Sequence, residues 1–401
     1  MRRLPFAISL FALLVSGPPR LVAARFVAIG AGGVTDTASG VSPDGSTVLV
    51  GRQIWTAAGG LADTALADLE IYSRDISNNG VIAGLWCGPN TGSCYEAFRS
   101  TIDGPVEGLG ALDDWSSDAF ALTPDGSVIV GRTSSITGEQ SFRWTSATGM
   151  VGIGNLDPDE VSHSAAYGVS ADGSVVVGQS GDDMILEAYR WTESSGMVGL
   201  GDFTGGSFNS TAQSISADGK VIVGSGTNAQ GTEAFRWTQE SGMQPLGDLT
   251  GGDFYSVAYA TNVTGSVIVG QSRATPVDGH AFIWTPTDGM RSLQNLLIDD
   301  YGQGEVLAGW TLSMATDISD DGRVIVGYGE NPQGHSQAFA VFLPVYGDED
   351  GDSDIDGADF LLWQRINSPI PSLPVPEPST FAIAAACLGG LALVRRRRRR
   401  S

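Results

Sequence analysis

The chain is short of the residues on which enzymes and nucleic-acid binders depend. Its 401 residues include one lysine, Lys220, three histidines and three cysteines. His163, His280 and His335 have no partner at a metal-ligand spacing, and no GxSxG, HExxH or P-loop string occurs. No long helical pattern runs between residues 30 and 340, which argues against a helical fold. Positive charge is scarce as well, with 22 Lys and Arg against 45 Asp and Glu. Nine of those 22 are Arg2, Arg3, Arg20 and Arg395 to Arg400, so residues 25–378 keep 13 against 45, a net charge near −32. A body of that sign repels phosphate backbones, and nucleic acid is not an expected partner. So acidic a body supplies many carboxylate pairs, which keeps a carbohydrate-active hydrolase or lyase as the alternative to a non-catalytic role.

What the chain has in abundance is glycine, 55 residues, and a repeat. The segment Ser210 to Gly252 holds four apolar runs, Ala212 to Ser216, Val221 to Gly224, Ala234 to Trp237 and Met243 to Gly247, separated by turn residues. That pattern predicts one four-stranded antiparallel sheet. Asp218-Gly219 suits the tight turn between the first two strands, because Asp-Gly accepts positive φ. Val221-Ile222-Val223 is apolar throughout, as in a strand covered on both faces, and one sheet alone cannot supply both covers. Seven segments carry the strand, turn, strand pattern and end at Gly51, Gly84, Gly131, Gly178, Gly224, Gly270 and Gly327, with spacings of 33, 47, 47, 46, 46 and 57. A four-stranded unit of about 46 residues is a propeller blade. The expected fold is therefore all-β, a seven-bladed β-propeller over residues 25–342.

The third strand recurs as EAFRS (Glu96 to Ser100), SFRWT, EAYRWT, EAFRWT and HAFIWT, with a degenerate QAFAVF at the end. Period two puts Phe235 and Trp237 on one face and Ala234 with Arg236 on the other. Large rings repeated at one register fill the layers between sheets, with a sugar-binding aromatic platform as the functional alternative. The Asp-Gly turns at Asp125, Asp172, Asp218 and Asp321 are explained by turn geometry, with calcium as the competing reading. The loops Gly201 to Gly206 and Gly247 to Gly252 fall on one rim, where a ligand face is weakly supported.

The last unit lacks a fourth strand, and Phe26 to Gly30 is a fourth strand ahead of any first one. Pairing it beside Gln337 to Phe342 closes the ring and leaves no open edge. The first unit fits less well, since residues 57–70 match the template poorly. His280-Ala281-Phe282, its EAF and EAY relatives and the following GM-x-x-LG resemble the HAF repeat of bacterial extracellular proteins over roughly residues 37–342. That resemblance implies an exported repeat protein and brings no catalytic residues.

The ends carry addresses. Met1-Arg2-Arg3, an apolar run from Leu4 to Val15 and Val22-Ala23-Ala24 make residues 1–24 a secretory signal peptide, the run being too short to span a bilayer. In that oxidising setting Cys87 and Cys94, flanking the loop GPNTGS, are expected to form a disulfide. Residues 343–367 follow the propeller. There Asp348, Asp350, Asp352, Asp356 and Asp359 occupy positions 1, 3, 5, 9 and 12 of a twelve-residue loop, with Asp354 at position 7 offering its carbonyl. This spacing suits calcium, and it resembles one half of a dockerin or EF-hand-like repeat. Ser353 replaces the usual glycine, and no second copy exists. After a Pro-rich linker, 368–378, comes Pro376-Glu377-Pro378, an apolar run over 381–394 and six arginines, which set that run's cytoplasmic side. The tail, 375–401, resembles the PEP-CTERM sorting signal. It implies an exosortase-type processing enzyme as partner, acting at Pro376, Glu377 and Pro378, and transient membrane attachment through 381–394. The expectation is an exported surface or matrix protein with a binding or structural role. A calcium-dependent adhesin for extracellular polysaccharide is a further alternative.

Overall fold

Each of the seven repeat segments forms the inner half of a four-stranded antiparallel sheet in the computed structural model. The structure describes residues 24–30, 37–67, 69–87, 95–113, 116–135, 138–157, 163–182, 184–274 and 279–344. The first strands of blades 1 to 7 are Ala38–Val41, Ile71–Ile76, Ser116–Leu122, His163–Val169, Thr211–Ile215, Ser256–Thr261 and Thr311–Ile318. They line the axis, and the sheets together form a seven-bladed β-propeller. Among the described residues the one helix is Leu293–Asp299, and no helix there is long and apolar enough to cross a membrane.

Blade 5 shows where pattern reading falls short. Its strands are Thr211–Ile215, Val221–Thr227, Thr232–Thr238 and Gly242–Pro245. The middle pair runs past the apolar stretch because Ser225, Gly226 and Thr227 pair with Ala234, Glu233 and Thr232. Apolar periodicity reports only the buried part of a hairpin. In blade 1 the same hairpin is cut back, so that Val50 pairs with Gln53 across Gly51, at φ 59. The poorly matching stretch still contains a fourth strand, Gly60–Asp63. The long last spacing holds the helix, capped by Ser292, whose hydroxyl accepts the Asn295 N–H at 3.3 Å, and anchored by buried Leu293 and Leu297.

Blade 7 is completed by Arg25–Ile29, which pairs antiparallel with Ser336–Phe342 from Arg25 opposite Phe342 to Ile29 opposite Ala338. Phe26 packs its ring 5.1 Å from Trp310 and 6.0 Å from Phe339. Gln337 Nε2 donates to the Gly30 carbonyl at 2.7 Å.

The third-strand aromatics Phe98, Phe142, Tyr189, Phe235, Phe282 and Phe339 are sealed from solvent. Phe282 of blade 6 packs against Val223 and Ala234 of blade 5, as Phe235 packs against Val177 and Ala188 of blade 4. They are inter-blade core, each stabilising the ring by roughly 1.5–3 kcal/mol. A serine repeats beside them. Ser210 accepts the Ala188 N–H at 2.9 Å and donates to the Gly201 carbonyl at 2.7 Å, and Ser256 does the same with Ala234 and Gly247. One hydroxyl, donor and acceptor at once, sews each of blades 3 to 6 to the one before it, through Ser117, Ser164, Ser210 and Ser256.

Every first strand carries a β-bulge at the same place, between Ala212 and Ser214 in blade 5 for example. The bulge bends the inner strand toward the axis. Gly224 stands opposite, because an added Cβ there would overlap the Thr211 carbonyl oxygen.

Candidate functional site

The bulge decides what faces the axis. The repeat reads ASGV, SRDI, AFAL, AYGV, AQSI, AYAT and ATDI along the seven first strands. The register shifts leave Ser39, Arg74, Phe120, Tyr167, Gln213, Tyr259 and Thr316 unpaired. These residues line an axial channel of about 490 Å³. Sequence reading missed this set, although a signal was there. Inter-blade packing holds the flanking positions to alanine, with Ser73 in blade 2, and to an aliphatic residue, with Thr261 in blade 6, and the two positions between them are free to vary.

One end of the channel is laced by the turns after the first strands. Ala171 donates to the Ala217 carbonyl at 3.0 Å, Ala217 to Val263 at 3.2 Å, Val263 to Asp320 at 3.1 Å and Asp320 to Pro43 at 2.8 Å. Asn78 donates to Pro124 at 2.9 Å. Pro43 and Pro124 have no N–H to pass on, and Asp44 N–H bridges the first gap through Asn78 Oδ1 at 2.8 Å.

Above this lacing the wall is lopsided. Blades 2 to 6 present planar groups, Arg74, Phe120, Tyr167, Gln213 and Tyr259, whereas blades 7 and 1 present Thr316 and Ser39. Phe120 and Tyr167 lie 5.1 Å apart, and the Arg74 and Arg132 guanidinium carbons sit 5.5 and 5.8 Å from the Phe120 centroid. Arg74 pairs with Asp118 and Arg132 with Glu139, each at 3.1 Å. Burial pushes the Asp118 carboxyl up, with Arg74 opposing the shift.

On the small-residue side stand Asp75 and Asp317, one residue past the bulge in blades 2 and 7. Asp317 Oδ2 accepts the Val41 N–H at 2.8 Å and Oδ1 the Ile318 N–H at 2.8 Å. Asp75 does likewise with Leu122 at 3.0 Å and Ile76 at 2.7 Å. Each carboxylate thus ties its blade to the next. Between them lies Gly40, where a Cβ would sit 3.6 Å from both Asp317 Oδ2 and the Asp75 Cα. Depth within the ring pushes Asp75 up to about 6. Burial, reinforced by the Asp75 charge, pushes Asp317 up to about 7. Both keep some surface open to the channel, and perturbed carboxyls in a cleft are candidates for a functional role.

The other sequence candidates lie elsewhere. Asp172 Oδ1 accepts the Ser174 N–H at 3.0 Å and the Ser170 hydroxyl at 2.7 Å, which hold its carboxyl below the usual range. Asp125, Asp218 and Asp321 likewise accept the N–H two residues on in their own turns. On the rim, Asp202 accepts N–H groups from Phe203, Thr227 and Asn209, and Asp248 bonds Ser272. The glutamate of the EAF and EAY strings is a loop cap as well, Glu187 Oε1 accepting the Gly201 N–H at 2.9 Å. His163, His280 and His335 fall in blades 4, 6 and 7. Among the described residues no three His, Cys, Asp or Glu side chains are grouped to hold a metal. Cys87 follows the second strand of blade 2. Cys94, the calcium loop from Asp348 to Asp359, Pro376 to Pro378, the leader and the apolar run over 381–394 lie outside the described residues.

Residues 374–399 match the PEP-CTERM protein-sorting motif, a mark of an exported protein. No curated protein matches the chain. Solved propellers do, at low identity. An oligogalacturonate lyase from Vibrio parahaemolyticus is 10% identical with a TM-score of 0.53, covering 82% of this chain and 99% of that one. An oligogalacturonate lyase in complex with manganese is 11% identical, TM-score 0.51, covering 81% and 98%. TolB from Acinetobacter baumannii is 14% identical, TM-score 0.45, covering 72% and 75%. These likenesses concern the fold.

Proposed function

We propose that the protein is an exported, surface-associated propeller that binds a ligand in its axial channel without turning it over. The observation that carries this is the convergence of the repeat's variable positions on one channel, with planar side chains on one wall. The sorting motif supports the location, with an exosortase-type enzyme as the processing partner at Pro376-Glu377-Pro378. An extracellular polysaccharide is the proposed larger target, its chain end seated against Phe120 and Tyr167. The test is retention of the protein on the polysaccharide fraction shed by the producing cells. The Phe120→Ala/Tyr167→Ala double variant, which spares the inter-blade core, is expected to lose retention about 10-fold or more with little change in melting. Equal retention of both proteins counts against the reading.

A second reading, a hydrolase or lyase, is favoured by Asp75 and Asp317, two carboxyls in the same channel raised toward the range that suits proton transfer. Accumulation of new reducing or unsaturated ends in that polysaccharide would establish it in place of simple binding.

The loop from Asp348 to Asp359 is proposed to bind calcium, which would make any adhesion calcium-dependent. Asp359 gives less reach than the usual glutamate, and Ser353 makes the turn harder. Calorimetry on residues 343–368 is expected to give a dissociation constant on the order of 10⁻⁴ to 10⁻³ M. No heat at millimolar calcium would leave the segment an acidic linker.

A further inference from the structure

The channel's charge is uncompensated on the side of blades 7, 1 and 2. Arg74 is the one cationic side chain among the lining residues, and its guanidinium is turned to Asp118. Asp75 and Asp317 form no ion pair with any Lys or Arg of the described residues, and their printed partners are backbone N–H groups. Each carboxylate oxygen accepts one such bond and keeps a lone-pair direction for another donor. Gly40 leaves no side chain between them, and Ser39 and Thr316 leave the space above open. Tyr167 and Tyr259 line the same channel, as does Phe120, whose ring already has the Arg74 and Arg132 guanidinium groups beside it. Burial, with Tyr255 and Tyr328 nearby, keeps the Tyr259 phenol neutral.

We propose that this channel binds a small organic ammonium ion, its charged head between Asp75 and Asp317 and its body against the aromatic wall. The inference rests on the channel-binding reading above and names its ligand class. Carboxylates supply the charge, and ring faces stabilise a weakly hydrated cation that a bare metal ion would not match. A hard divalent ion wants six or more oxygens in one shell, and the described residues group no three ligating side chains. The channel's 490 Å³ lies in the range that small-ligand sites occupy. The strongly acidic body concentrates cations at its mouth.

The test compares choline with its neutral isostere 3,3-dimethylbutan-1-ol on the full chain by calorimetry. Choline is expected to bind at least about 10-fold more tightly, the ratio that separates charge from shape. A second arm uses Gly40→Lys. A Cβ at that position meets only ordinary contacts, 3.4 Å from the Arg74 carbonyl at the nearest, so the backbone accepts a side chain there and the lysine ammonium is expected to take the proposed seat; the choline comparison on the unaltered chain decides the matter if this variant does not fold. Choline binding is expected to disappear, and melting at pH 8 to rise. Equal affinity for the two probes, or choline binding undiminished in Gly40→Lys, overturns the inference. So does no choline binding by a wild-type protein whose polysaccharide retention still depends on Phe120 and Tyr167, an outcome that leaves the channel-binding reading standing. If that retention is independent of both rings, the reading itself falls.

Discussion

Removal of residues 25–29 is expected to unfold the whole ring. Those five residues form the entire outer strand of blade 7. Their loss exposes the edge of Ser336–Phe342, takes Phe26 from between Trp310 and Phe339, and takes Ile29 from the cluster that joins blade 7 to blade 1. Truncating a buried phenylalanine costs about 3–5 kcal/mol, and losing an isoleucine adds about 2–5. That sum rivals the total stability of an ordinary domain, about 5–15 kcal/mol. The truncated protein should melt far lower or be purified as aggregate, since an open edge invites pairing with another chain. A synthetic peptide spanning residues 24–30, supplied during refolding, should restore much of the lost melting temperature. A truncation that melts like the intact protein, by scanning calorimetry, would show that this strand does not hold the ring.

Stability should fall as pH rises from about 5 to about 8, contrary to the usual behaviour of an acidic protein whose carboxylates are paired. Asp75 and Asp317 are pushed up to about 6 and about 7, and burial raises Asp118, Asp320 and Glu233 too. For an acid with a raised folded pKa, the native state holds more protons than the unfolded chain between the two values. Its contribution is therefore fully present only below the unfolded pKa and is lost as pH rises through the folded one. Channel water screens the pair, so the loss from Asp75 and Asp317 together is on the order of 3 kcal/mol. At the acid end the sign reverses. Asp44, Asp125, Asp172 and Asp218 are held low by their turn hydrogen bonds, and their contribution disappears as pH drops below about 4. Urea unfolding at fixed ionic strength should place the optimum near pH 5. A profile that is flat or rises between pH 5 and 8 would mean that the channel carboxyls are not perturbed.

The architecture was legible because propeller packing writes itself into every repeat. Phe235 and Phe282 recur at one register since each must fill the same gap between sheets, and Asp218-Gly219 recurs because the turn demands it. Ring closure was legible from a strand too many at one end and too few at the other. The channel was not. Arg74, Phe120, Tyr167, Asp75 and Asp317 are of four residue types, and the bulge that turns them inward is a backbone event with no fixed side-chain signature. Their mark was the departure from the repeat between a small residue, alanine in six blades of seven, and a residue that is aliphatic in six of seven. Asp172 and Asp218 recur for the opposite reason, because a repeated carboxylate serves the turn, as the turn geometry of the chain already indicates.

The placement of the closing strand also sets an order in time. Arg25–Ile29 is made before any blade and must wait for Ser336–Phe342, made last, with Gly30 and Gln337 separated by 307 positions. Contacts so far apart in sequence form slowly, and the earlier blades can stack meanwhile. A chain that stops anywhere short of blade 7 keeps an orphan strand at one end and a bare sheet at the other. The latch therefore works as a check on completeness, because only a fully delivered chain has the last strand with which its first can pair.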